Sequence, residues 1–374
     1  ITPKAPKGEK PYRFNWQTPI LLSSHNQDIL YMGSEFLHRS MNQGETWERI
    51  SGDLTNGAKE GNVAFGTIST ISESKFQFGL LYAGSDDGKI HVSKDGGVSW
   101  QLISGNLPQN LWVSRVVASS HKKERVYVTL NGYRNDNFES YAFVSEDFGA
   151  TWTSISNGLT QAVNVIVEDS ANENILYVGT DNGLFISLDK GATWQDFSNG
   201  MPNVAVHDAV IQTKAKELIV GTHGRSIYKM DISKVQEVTK EVLAKNLHLF
   251  KVNDRTKSDR WGSQNYAWGK PSEPSQTIWF YSNGDGMVNV SITNEAGMVV
   301  HTQKVDAKKG LNSFVFNYSV TKNVAEKWNK KDKNIKIKAA ENQKIYLPIG
   351  KYKLTISHDK TSESKSFEIL NPKK

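Results

Sequence analysis

Up to about residue 231, apolar residues fall in short alternating runs separated by clusters of Asn, Asp, Gly, Ser and Lys. That is the period of half-buried strands joined by tight turns. The runs group into units. Residues 18–51, 65–104, 112–156 and 162–198 each hold four strand-sized segments. Each unit repeats one buried-looking stretch at a matching place: Tyr31-Met32-Gly33-Ser34, Tyr82-Ala83-Gly84-Ser85, Tyr127-Val128-Thr129 and Tyr177-Val178-Gly179-Thr180. A fifth unit has strands at 205–212, 217–222 and 226–231, and its 219–225 stretch matches 177–183. Residues 1–17 form a lead-in rich in Pro and Lys and then aromatic. The period changes over 233–246, where Val235, Val238, Val242 and Leu243 predict an amphipathic helix. Residues 247–274 read as an irregular linker whose Trp261, Tyr266 and Trp268 pack it against a neighbour. Alternation resumes from 275, with strands expected at 277–281, 288–293, 298–303, 311–318, 351–357 and 365–369. A lysine-rich loop, 321–346, interrupts this last domain and is partly helical around 324–328.

One phrase recurs at a fixed place in the first four units. It reads Ser40-Met41-Asn42-Gln43-Gly44-Glu45-Thr46-Trp47, then Ser93 to Trp100, Ser145 to Trp152 and Ser187 to Trp194. The pattern is S-x-D-x-G-x-[TS]-W, with Asn42 in place of the first Asp. Each copy lies between two strand-like pieces, so it is a hairpin turn. Asp95, Asp147, Asp189 and Asn42 can accept from backbone N–H groups further along the turn. The Gly takes a positive φ. Trp47, Trp100, Trp152 and Trp194 are large apolar anchors with one N–H each to satisfy.

Composition sharpens the picture in three places. The 374 residues suffice for more than one domain. With no cysteine, disulfides, thiolate metal sites and cysteine catalysis are excluded. No apolar run is long enough to cross a membrane as a helix. The net charge of +6 is concentrated in Lys322, Lys327, Lys330, Lys331, Lys333, Lys336 and Lys338. This run reads as a solvated loop, and contact with nucleic acid or an acidic envelope polymer is the alternative. Without arginine and aromatic interleaving, nucleic acid is not the expected partner.

Candidate chemistry is sparse. Asp86 and Asp181 follow the Gly-Ser or Gly-Thr of their units, and His223 takes the same place in the fifth. His207-Asp208 and His223-Gly224-Arg225 form the best polar cluster. The binding candidates are therefore His207, Asp208, His223, Arg225, Asp181 and Asp86. Repeat-equivalent placement points to turn chemistry as much as to a ligand. A two-carboxylate glycosidase site would draw on Asp86, Asp87, Asp136, Asp181 and Asp208. Arg39, Arg115, Arg134 and Arg225 fall at unrelated positions and make no arginine trio. Phosphate loops, H-E-x-x-H and G-x-S-x-G elements are missing. No catalytic residue, metal or cofactor is assigned.

The recurring phrase is similar to the Asp-box, or BNR repeat, of sialidases, xyloglucan-degrading glycosidases and sortilin-type receptors. The resemblance implies an all-β fold: β-propeller blades, followed here by an Ig-like β-sandwich. In such families the box staples the outer rim of a blade, away from the binding site. The turns Gly310-Leu311-Asn312 and Pro348-Ile349-Gly350-Lys351-Tyr352 resemble those of flagellar-hook-assembly-type Ig-like domains. The whole order resembles the C-terminal part of large sortilin-like "glycosyl hydrolase" proteins of Bacteroidetes. Two expectations follow. With four full units, one partial unit and a start at Ile1, the ring is expected to be incomplete, its remaining blades supplied by an N-terminal propeller fragment. The expected function is a non-catalytic recognition or assembly module, extracellular, at the cell surface or periplasmic, binding an envelope protein, peptide or glycan. The alternative is a glycoside hydrolase with part of its site in the missing blades.

Overall fold

The computed structural model describes residues 1–61, 64–198, 200–264, 266, 268–331 and 337–372. The chain is mostly β and divides into two compact units, Ile1–Gln236 and Glu237–Lys374.

The first unit is built of antiparallel blades. The first contains β1 (Ile20–Leu22), β2 (Leu30–Gly33), β3 (Leu37–Ser40) and β4 (Glu48–Arg49). The second contains β5 (Ile68–Glu73), β6 (Leu81–Ser85), β7 (Ile90–Ser93) and β8 (Gln101–Leu102). The third contains β9 (Trp112–Ala118), β10 (Val126–Gly132), β11 (Asn137–Ser145) and β12 (Thr153–Ser154). The fourth contains β13 (Val163–Glu168), β14 (Leu176–Thr180), β15 (Gly183–Ser187) and β16 (Gln195–Asp196). The fifth has three strands, β17 (Val206–Gln212), β18 (Glu217–Thr222) and β19 (Ile227–Asp231). Each sheet follows chain order. The second strands β2, β6 and β14 are buried on both faces, which is why their sequences read as continuous apolar runs rather than alternating ones.

Close packing of one blade on the next is set by glycine. A Cβ on Gly33 would come within 2.8 Å of Ile68, and one on Gly84 or Gly179 within 2.5 Å of Val113 or Val206. Ile68, Val113 and Val206, each β-branched and at or next to the start of its inner strand, therefore fill the space over the preceding blade's glycine, while the third blade has Thr129 at that place. The lead-in is bound to this unit. Arg13 reaches Asp53 at 2.7 Å and the Gly66 carbonyl at 3.1 Å, and Asn15 donates to Thr67 and Asp86.

The helix expected over 233–246 is instead two short turns, α1 (Ser233–Gln236) and α2 (Lys240–Leu243), and the unit boundary falls between them. Thr239 is extended (φ −93°, ψ 173°) and interrupts the helix. The apolar periodicity survives, since Val235, Val238 and Val242 are all buried.

The second unit is two sheets enclosing one core, antiparallel except where β21 runs parallel to β29. β20 (Leu247–Leu249), β22 (Gln276–Ser282) and β25 (Gly310–Phe316) make the first sheet. The second runs β21 (Arg255–Thr256), β29 (Thr361–Leu370), β28 (Gly350–His358), β23 (Gly286–Asn294) and β24 (Val299–Ala307). A short pair joins β26 (Ser319–Val320) to β27 (Ile345–Tyr346). The span read as a linker thus contributes two strands, β20 and β21, because three residues and two residues are too few for alternation to register in the sequence. Trp261 is buried in this core, whereas Tyr266 and Trp268 are exposed and stack on each other at 5.4 Å. The lysine-rich stretch opens as α3 (Lys322–Lys331), which buries Ala325 and Trp328. Lys333 and Lys336 lie outside the described residues. Among the described residues no helix is long and apolar enough to cross a membrane.

Candidate functional site

Strand direction gives each blade two distinct edges. The hairpins between first and second strands, and the recurring phrase, lie at the lower edge. The starts of the inner strands and the hairpins between second and third strands lie at the upper edge.

The lower edge repeats the same bonds four times. The Gly N–H donates to the Ser Oγ at 2.7–2.8 Å in each phrase. The Ser Oγ donates to Asn42, Asp95, Asp147 or Asp189 at 2.7–2.9 Å. The Thr or Ser N–H then donates to the same oxygen at 2.9 Å. The Ser99 and Thr151 hydroxyls, donating at 2.6 and 2.7 Å, and then these N–H and Ser donors hold the pKa of Asp95 and Asp147 down at about 2. Asn42 makes the acceptor bonds with its one amide oxygen. The tryptophans reach the preceding blade: Trp100, Trp152 and Trp194 donate Nε1 to the carbonyls of Ile50, Ile103 and Ile155 at 2.9, 2.9 and 2.6 Å.

A second lower-edge device was not found in the sequence. Ser23-Ser24-His25 in the first blade and Ser119-Ser120-His121 in the third are the same tripeptide at the same turn. In the first, Ser23 and Tyr31 donate to buried Glu73 at 2.6 and 3.0 Å, and His25 Nε2 lies 2.8 Å from the Ser74 carbonyl. In the third, Ser119 and Tyr127 donate to buried Glu168 at 2.8 and 3.0 Å, and His121 Nε2 lies 2.6 Å from the Asp169 carbonyl. Blades one and two, and blades three and four, are thus clamped as pairs through buried carboxylates. Burial, with the glutamate beside it, raises the Tyr31 and Tyr127 hydroxyls well above their ordinary range.

The upper edge is organised by a repeated irregularity. The inner strands carry one extra residue at Ser69, Ser114, Asn164 and His207, where the pairing register shifts. A bulge re-aims its side chain and bends the strand. Ser69 and Ser114 use the hydroxyl to bond the next blade's carbonyl, Val113 at 2.7 Å and Val163 at 2.9 Å. Asn164 instead donates to Asp181 at 2.9 Å and accepts from Asn131 at 2.8 Å. His207 takes the place in the fifth blade, its ring 5.4 Å from that of His223. Burial, then the neighbouring His223, lowers the His207 pKa, and Asp181 opposes them. Asp208 accepts from Arg115 at 2.5 Å and is largely exposed.

The six candidates therefore separate. His207, His223 and Asp181 come together, and Asp208, next to His207 in the chain, pairs separately with Arg115. Arg225 is exposed on the hairpin that carries His223. Asp86 stands apart: it is buried and accepts from Gly66 N, Thr67 N, Thr67 Oγ1 and Asn15. Burial raises its pKa against those bonds. Asp87 is likewise held by Asn56 N and Ser85. A further surface on the same edge was not anticipated. The hairpin between β10 and β11 presents Tyr133 and Phe138 to solvent, edge-to-face at 6.1 Å. Arg134 lies 4.0 Å above the Trp112 ring. Beside it an open cleft is lined by Asp136, Phe138, Glu139, Ser140, Leu159 and Thr160. The signal for it was there in part: the third unit is longer between its second and third strands. Among the described residues no three His, Asp or Glu side chains are grouped to hold a metal ion.

Comparison with known proteins follows the blades. The Sortilin-Vps10 family ("Sortilin, neurotensin receptor 3") matches residues 35–162. No curated protein sequence gives a match. Among solved structures, the GH74 enzyme of Niastella koreensis is 22% identical, covering 57% of this chain and 36% of its own, with a TM-score of 0.45. PorZ, described as an essential surface component of the type-IX secretion system of Porphyromonas gingivalis, is 14% identical, covering 94% and 51%, with a TM-score of 0.42. YCF48, solved bound to a D1 peptide, is 13% identical, covering 62% and 68%, with a TM-score of 0.42. This chain spans well under half of the GH74 chain and about half of PorZ. Residues 35–162 are thus Sortilin-Vps10-like.

Proposed function

We propose that this chain is a non-catalytic recognition or assembly module, secreted or displayed at the cell surface or in the periplasm. It binds a protein, peptide or glycan on the upper edge of its blades, and its second unit, read as an Ig-like sandwich, docks it to a larger envelope assembly. One observation carries the reading. Four of the five upper-edge aspartates considered for catalysis are already engaged: Asp86 and Asp87 by turn donors, Asp181 by Asn164, and Asp208 by Arg115. What remains free to meet a ligand is exposed His223, Arg225, Tyr133 and Phe138, groups that stack, donate and pair rather than shuttle protons between two acids.

The glycoside hydrolase reading keeps one observation in its favour: Asp136 and Glu139 line one open cleft beside Phe138. Fold does not choose between the two, because the same architecture serves both. A panel of xyloglucan oligosaccharides and peptides, screened by calorimetry with mass spectrometry of the products, does. Binding without hydrolysis, weakened by His223→Ala or Tyr133→Ala, supports the module. Hydrolysis abolished by Asp136→Asn or Glu139→Gln overturns it.

A further inference from the structure

Three of the four internal blade junctions of the first unit set a glycine of one blade under a β-branched residue of the next, and both end faces carry counterparts of the junction residues that are exposed. At the back of the fifth blade, Ile227 pairs with Gly221 as Leu37, Ile90 and Leu184 pair with Gly33, Gly84 and Gly179. Those three residues are completely buried, yet Ile227 is 71% exposed. The three glycines are each overlain by the next blade's Ile68, Val113 or Val206. The nearest atoms to a Cβ on Gly221 belong to Asp208 of its own blade, at 3.7 Å. Val210 on the same side is 58% exposed.

The front of the first blade shows the complementary vacancy. By register, Ile20 corresponds to Val116 and Ile166, and Leu22 to Ala118 and Glu168. Those counterparts are buried against the preceding blade, whereas Ile20 is 53% and Leu22 63% exposed. Trp47 Nε1 is buried without an acceptor among the described residues, while its three counterparts each donate to the preceding blade. Ile1 packs on Gly44 where Ile50, Ile103 and Ile155 pack on Gly97, Gly149 and Gly191. Its side chain thus stands where the residue after a preceding outer strand belongs.

We propose that these two faces are docking seams for further Asp-box blades. A four-stranded blade seats on Ile20, Leu22 and Trp47, the residue after its outer strand taking the place of Ile1 on Gly44. Another blade's inner strand places a β-branched residue over Gly221 and covers Ile227. The occupant is not a second copy of this chain. The fifth blade ends at its third strand, so its copy cannot offer the carbonyl after an outer strand that Trp47 requires. The inference is independent of what the upper edge binds, and it stands or falls separately from the recognition reading.

The test compares hydrogen exchange in the 374-residue chain alone with exchange in the protein purified from its native source. In the chain alone, β1 and β19 should exchange at least about tenfold faster than β5 and β15. In the native-source protein all four should be protected alike. Trp47→Phe and Ile227→Asp should leave the melting temperature of the chain alone unchanged and lower that of the native-source protein by several degrees. Two results overturn the proposal: equal, fast exchange of β1 and β19 in both preparations, or dimers of the chain alone that protect both strands.

Discussion

The lower edge of the blades repeats itself and the upper edge does not. Four Asp-boxes make the same bonds with the same atoms, and two Ser-Ser-His turns clamp blade pairs through Glu73 and Glu168. Across the blades the upper edge drifts: the bulge is Ser at 69 and 114 but Asn164 and then His207, and the residue after the second strand is Asp86 or Asp181 but then His223, with Asp86 and Asp181 held by different partners. Repetition marks what any blade needs in order to exist. Variation marks where this molecule differs from a generic propeller, and exposed variable loops on a rigid scaffold are where recognition resides. The difference also warns against reading chemistry from a motif alone, since the most repeated acids here are turn acceptors.

The contrast can be broken most forcefully at Glu168. Glu168→Ala strips the acceptor from Ser119, Ser120 N and Tyr127 and leaves buried Arg125 short of one anion. The expected loss is roughly 3–5 kcal/mol by chemical denaturation, against almost none for Asp208→Ala on the upper edge.

Acid comes next. His38 and His91 are lowered to about 4, first by burial and then by Arg49 and Lys89 respectively. Their unfolded value is near 6.5, so the unfolded chain binds more protons between the two values. The stabilisation they give is complete above pH 6.5 and is lost as pH falls toward 4. At most it amounts to about 3 kcal/mol per histidine. Denaturant titrations from pH 7.5 to 4.5 should show this loss, and His38→Gln should flatten the curve.

A finer cut lies within the Asp-box. Asp147→Ala should cost about 1 kcal/mol through its lost hydrogen bonds. Asp147→Asn should be close to neutral, because Asn42 already serves in the first box. The smallest stability effects belong to His223→Ala and Arg225→Ala, within about 0.5 kcal/mol of wild type. The same two variants should weaken ligand binding tenfold or more, as read by calorimetry.

Much of the lower edge is legible in the sequence, because its information is local. Ser, Asp, Gly, Thr and Trp sit within one turn, and the spacing is visible by eye. The blades' second strands are equally plain. The Glu73 and Glu168 clamps are not, because each acid lies in the blade after its partners, and a lone glutamate ending a strand looks like any surface residue. The bulges are hidden for a related reason: an inserted residue shows only in the register against the neighbouring strand. At the upper edge the sequence groups Asp86 with Asp181 by position. Position does not reveal that Asn15, from the lead-in, and the Thr67 turn close over Asp86. The helix at 233–246 shows the same limit in reverse, where the periodicity of burial is right and Thr239 still breaks the helix.

The proposed reading gives recognition to the variable edge and architecture to the repeated one. That division is tested most directly by a hydrogen-exchange footprint of the protein saturated with the ligand found in the panel. It predicts new protection over 132–137, 181–183 and 223–226, with the turns at 42–47, 95–100, 147–152 and 189–194 unchanged. Protection confined to those four turns would contradict it.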